Sequence, residues 1–161
     1  MKKLIVIRGP LGVGKTTISK ILAQNLGVGY LSLDQIIDDN DLIPANAEGI
    51  PLESFLRANA IILDLTKGHK NSHIIDGCFY YQEQIDDLLE RFNNSVEIVT
   101  LTCHVEKCIE RDSKRQKVYG EDSARFVHMV TTRIRAGHEI DNTNLTVEKT
   151  IEKIIEKIKV P

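Results

Sequence analysis

A chain of 161 residues, 42% hydrophobic and 27% charged, carries enough apolar material for one α/β domain and little for a second. A formal net charge of −2, with four Tyr, four Phe and no Trp, argues against a groove that tracks a polynucleotide. The N-terminus enters a strand almost at once and no apolar run approaches membrane-spanning length, so the expected protein is cytoplasmic and without membrane contact. Cys78, Cys103 and Cys108 match no disulfide framework and no usual zinc spacing, and are read as structural thiols.

Leu4-Ile5-Val6-Ile7 is short and β-branched, the pattern of a strand buried on both faces. It runs into Gly9-Pro-Leu-Gly-Val-Gly-Lys-Thr16, which satisfies G-x-x-x-x-G-K-[ST] without a mismatch. Ile18, Ile21, Leu22 and Leu26 then recur at helical spacing, with Gly27 as a stop. Strand, glycine turn and helix together give the motif its meaning. The glycines let successive N–H groups curl around a phosphate, and the helix N-terminus adds partial positive charge. Gly9, Gly12, Val13, Gly14, Lys15, Thr16 and Thr17 are therefore candidate ATP-binding residues. Lys15 reaches for the β- and γ-phosphates and the Thr16 hydroxyl for Mg2+.

Val28 to Leu33 alternates as a second strand, with Asp34 at its end, and residues 40–50 read as a loop. A broad apolar helix starts at Pro51 and stops at Gly68. His73 to Gly77 is a short strand closed by Asp76. Ile85, Leu88, Leu89 and Phe92 mark an amphipathic helix, and Val96 to Thr102 a fourth strand. Val105, Cys108 and Ile109 begin a helix that becomes highly charged through ERDSKRQKVYGED, followed by a helix over residues 123–136. His138 to Asp141 is a last short strand, and Thr146 an N-cap for a terminal helix. Such alternation implies a three-layer α/β/α domain around a five-stranded parallel sheet, with ligands at the carboxyl ends of its strands. Gly9, Asp34 and Asp76 then share one rim.

These residues resemble the nucleoside and nucleotide kinase-like branch of P-loop NTPases, relatives of adenylate, shikimate and gluconate kinases. IIDG at 74–77 looks like the Asp-Gly strand end of that branch, LSLDQI at 31–36 its acceptor-side segment, and the arginines of ERDSKR the start of its lid. IDNTNLT at 140–146 is similar to the final strand and loop near the adenine, which adds Asn142 to the cofactor set. The resemblance implies a single kinase domain over 1–161, with an acceptor side at 34–68 and a short helical lid at 111–125. It also implies ATP- and Mg2+-dependent transfer to an unidentified small molecule, through a hydroxyl or a phosphate, by a monomer or homodimer. Lys15, Asp34, Arg111 and Arg115 would be catalytic, Thr16 and Asp76 would hold the metal, and Asp34, Arg57, Asp76, Gly77 and Tyr80 would meet the acceptor.

Each of the less specific residues keeps a plainer alternative. Asp34 and Asp76 suit helix or turn caps, Arg57 a solvated helix face, Tyr80 the packing of a helix start, and the two arginines an ordinary surface. Cys78-Phe79-Tyr80 follows Asp-Gly where adenylate-type kinases carry Phe-Pro-Arg, which weakens the case for a nucleoside monophosphate acceptor. Two other functions fit the glycine motif: a nucleotide-dependent switch without a small-molecule acceptor, and a kinase acting on polynucleotide or tRNA ends.

Overall fold

The computed structural model describes residues 3–116 and 118–158. Five strands, β1 (Leu4–Arg8), β2 (Gly29–Ser32), β3 (His73–Gly77), β4 (Val96–Thr102) and β5 (His138–Asp141), form one parallel sheet in the order β2-β3-β1-β4-β5. In register, Ile7 stands opposite Asp76 on one side and Val99 on the other. The chain therefore leaves β1 for the glycine turn at the centre of the sheet, flanked by the ends of β3 and β4.

Successive side chains of β1 point to opposite faces, and both faces are covered. Ile5 and Ile7 pack with Ile18 and Leu22 of α1 (Lys15–Leu26) and Ile151 and Ile154 of α7 (Val147–Lys157). Leu4 and Val6 pack with Phe55 and Ile62 of α3 (Leu52–Thr66) and Ile85 and Leu88 of α4 (Gln82–Arg91). This is the expected α/β/α sandwich. Each fully buried Ile or Leu in it contributes ~1.5–3 kcal/mol of apolar burial.

Local signals account for most boundaries. Gly27, at φ 62, ends α1, and the Thr146 hydroxyl accepts from the Lys149 amide at 3.2 Å to start α7. One helix departs from expectation. Residues Leu33–Asp39 form α2 directly after β2, so the second strand stops at Ser32 and Asp34 lies in a first helical turn. The cause is local: Ser32 caps the Gln35 amide at 3.4 Å, and Leu33, Ile36 and Ile37 bury at helical spacing. Its acids sit on the open face.

The charged segment also differs. Helix α5 (Val105–Ser113) ends before Arg115, and α6 (Glu121–Thr132) starts after Gly120, so Arg111 and Arg115 do not share a helix face. Among the described residues, no helix is long and apolar enough to cross a membrane.

Candidate active site

The turn after β1 is open. Among the described residues, the backbone amides of Gly12, Gly14, Lys15, Thr16 and Thr17 have no backbone acceptor, and Val13 makes only a 3.4 Å bond to Pro10. Gly14 caps α1 at φ 97, so the first amides of the helix face the same hollow. Gly12, at φ 77, is held against α5: a Cβ there would stand 2.1 Å from the Cys108 carbonyl oxygen. A Cβ on Gly9 would likewise stand 2.6 Å from the Leu101 carbonyl oxygen. The Lys15 ammonium folds back over the turn and donates to the Pro10 carbonyl at 2.8 Å. This is the nest the motif predicts, with its cation aimed across it.

Gly12, Gly14, Lys15, Thr16 and Thr17 line a cavity of about 200 Å³ whose far wall is Arg111 and Arg115. Each arginine is held by its own side of the fold. Arg111 donates from Nη1 to Asn142 Oδ1 and from Nη2 to the Asn142 carbonyl, both at 3.2 Å. Arg115 lies 3.6 Å from the Asp112 carboxylate, with its guanidinium 5.6 Å from the Tyr119 ring centroid. Asn142, itself buried, donates Nδ2 to the Val13 carbonyl at 2.8 Å. It thus acts as a strut between the glycine turn and α5. Val13, Gly14, Thr17, Asn142 and the start of α7 also line a neighbouring cavity of about 260 Å³.

Asp76, at the end of β3, is buried and accepts from the Tyr30 hydroxyl at 3.1 Å. Burial pushes its carboxyl above the usual range, and the Thr16 hydroxyl, the Lys15 ammonium and Tyr30 draw it partly back. Tyr30 is raised in turn, by burial and by the Asp76 charge. The Thr16 hydroxyl and the Asp76 carboxylate are hard oxygen donors at the phosphate end of the turn. They fit Mg2+, which binds through one or two such groups plus water and phosphate. The absence of any cluster of three or more metal-ligating side chains among the described residues is compatible with that coordination.

A third cavity, of about 350 Å³, opens between α2, α3 and α6 and includes Asp34, Asp38, Phe55, Cys78 and Tyr80 in its walls. Leu11 of the glycine turn and Cys78, beside Lys15, belong to it, so it adjoins the phosphate hollow. Burial pushes the Cys78 thiol up and the Tyr80 hydroxyl up to about 12. Asp34 has no hydrogen-bond or ion-pair partner among the described residues. Gly77 is buried, where a Cβ would meet Leu33 and Phe79, and so serves the packing of β3 on α2. Arg57 is exposed on α3 and does not line this cavity.

Two further residues matter that the motifs do not reveal. Arg8 is fully buried and donates to the carbonyls of Phe79, Ile134 and Thr131 and to the Thr100 hydroxyl at 2.8–3.2 Å. It fastens β1 to the C-terminal end of α6, and burial lowers its pKa to about 10. Asp112, also buried, accepts from the Tyr119 and Gly120 amides and folds the segment before α6 back on α5. The signals were an arginine closing a fully apolar strand and an acid between two lid arginines.

A family model described as an AAA domain matches residues 5–128. Over 162 residues, covering 96% of this chain and 85% of the relative, the sequence is 30% identical to the “Putative adenylate kinase” of Methanocaldococcus jannaschii. It is 29% identical to a cytidylate kinase of Sulfurisphaera tokodaii, covering 96% of this chain and 70% of that one. A sugar kinase from a Janibacter species superposes with a TM-score of 0.78 at 24% identity, over 98% of this chain and 94% of that one, a likeness of fold. With an open phosphate-binding turn on a five-stranded parallel sheet and a family model spanning most of its length, the chain belongs to the AAA-domain family, as a P-loop protein of the nucleotide kinase-like kind.

Proposed function

We propose that this chain transfers the γ-phosphoryl group of ATP, with Mg2+, to a small molecule bound between α2, α3 and the lid. The observation that carries the reading is the adjoining of two hollows: one lined by unpaired turn amides, Lys15 and two arginines, the other holding an unpartnered Asp34. Kinases among the sequence relatives support phosphoryl transfer as the reaction class.

The turn amides and Lys15 bind the β- and γ-phosphates, and Lys15 draws charge from the bridging oxygen as its bond to phosphorus breaks. Thr16 and Asp76 would hold Mg2+, which supplies charge neutralisation across the phosphates. Asp34 accepts the proton of the acceptor hydroxyl as its oxygen bonds to the γ-phosphorus and ADP leaves. Arg111 and Arg115 face the transferring group and exclude water, the competing acceptor. Because these arginines come from the same chain, no partner is needed to supply them, which separates the reading from a partner-activated switch.

Coupled ADP release by Lys15→Ala tests it. Turnover should fall by roughly 10²–10³ with the melting temperature unchanged. Transfer at the parental rate would overturn the proposal.

A further inference from the structure

Resting on the phosphotransferase reading, the walls of the third cavity say what kind of acceptor it takes. At about 350 Å³ it is the size of a small-ligand site. Its apolar surface comes from Ile37, Ile43, Ile50, Phe55, Phe126 and Val127. Its charged side chains are two carboxylates, Asp34 and Asp38, one helical turn apart on α2 and both exposed. No Lys, Arg or His is among the described residues that line it.

The described cations nearby do not line it. Arg8 is sealed in the core, and Lys15 lies over the turn. Arg111 and Arg115 wall the phosphate hollow, and Arg57 is outside. A phosphomonoester brings a charge of about −1.5 to −2 near neutrality, and would meet two like charges with no counter-ion among the described lining residues. A hydroxy acid meets the same obstacle.

The surface around the mouth points the same way. Among the described residues, seven large hydrophobic side chains are exposed, and three of them, Ile43, Tyr119 and Phe126, line this cavity. An apolar ligand under the lid would cover such surface, whereas a polyol would not. The Tyr80 and Phe126 rings stand in the same wall, and aromatic rings attract an ammonium group.

We propose that the acceptor is an uncharged or amine-bearing alcohol with an apolar or aromatic body, its hydroxyl at Asp34 and its amine or second hydroxyl at Asp38, and that nucleoside monophosphates and hydroxy acids are rejected. Asp34 takes the reacting hydroxyl because it opens α2 directly after Ser32, which stands opposite Asp76 in the sheet, whereas Asp38 lies one helical turn farther from that rim.

Titration calorimetry on the protein filled with Mg2+ and a non-hydrolysable ATP analogue tests this with matched pairs: adenosine against AMP, cytidine against CMP, phenylethanolamine against mandelate. The uncharged or cationic member should bind about tenfold tighter or more in each pair. Asp38→Lys, an exposed substitution, should weaken phenylethanolamine by a similar factor and strengthen mandelate. Equal or tighter binding of the anion in any pair, or no binding of either member at millimolar concentration, overturns the proposal. Turnover of AMP or CMP in the ADP-release assay would overturn the acceptor class and leave the phosphotransferase reading standing. Failure to bind the ATP analogue would remove both.

Discussion

Replacing Arg8 by Met should destabilise the protein by about 3 kcal/mol, although the residue touches no ligand. In the parent, its guanidinium serves the Phe79 carbonyl beyond β3, the Thr100 hydroxyl on β4, and the Thr131 and Ile134 carbonyls at the end of α6. Met matches the volume and removes the donors. Thr100 keeps the Ala136 carbonyl at 2.6 Å, and the Thr131 carbonyl keeps the Ile134 amide at 3.3 Å. The Phe79 and Ile134 carbonyls lose this donor, at ~1–3 kcal/mol each when buried. Removing a charge that burial disfavours returns part of that sum. Against a total stability of roughly 5–15 kcal/mol the loss is large. Urea unfolding followed by tyrosine fluorescence and circular dichroism would read it. With a slope of about 2 kcal/mol/M the midpoint should fall by ~1.5 M. Arg8→Lys should recover less than half, since one ammonium cannot serve Phe79 and α6 together. A loss under ~1 kcal/mol for Arg8→Met would refute the claim that this fork holds α6 to the central strand.

Asp76 is a buried carboxylate whose pKa is raised, so its charged form is disfavoured in the fold. The native state then holds its proton to higher pH than the unfolded chain does, and the penalty is present above the unfolded pKa and vanishes as pH falls below it. Asp76→Asn should therefore melt at the same temperature or higher at pH 7 while Mg2+-dependent nucleotide binding falls, and a lower melting temperature would contradict this reading. Asp112→Ala releases the Tyr119 and Gly120 amides, and limited proteolysis should cut residues 114–120 faster, with acceptor KM raised and ATP binding retained. An unchanged cleavage pattern would show that the loop is held by something else.

Much of this molecule is written in short-range pattern. The buried β1 run, the glycine turn and the α7 cap each follow from neighbours within a few residues, and each appears where expected. Helix α2 is hidden in the sequence because Leu31 and Leu33 alternate like a strand, while the cap that turns the chain is a single Ser32 hydroxyl. Arg8 and Asp112 are hidden for another reason. Their partners lie far along the chain or in a loop without periodicity, and a charge looks solvated until the fold closes over it. The cavity that holds Asp34 is the extreme case, assembled from α2, α3, the segment after β3 and α6. Its residue types are visible in the sequence, but their meeting is a property of topology.

The Asn142 strut has a mechanical corollary. Since that side chain grips Val13 while Arg111 grips Asn142, the first half of the arch over the phosphates is welded to the sheet. Arg115, beyond the end of α5 at Ser113, has no such tie to Asn142, so the two arginines that wall one hollow differ in how firmly they are anchored.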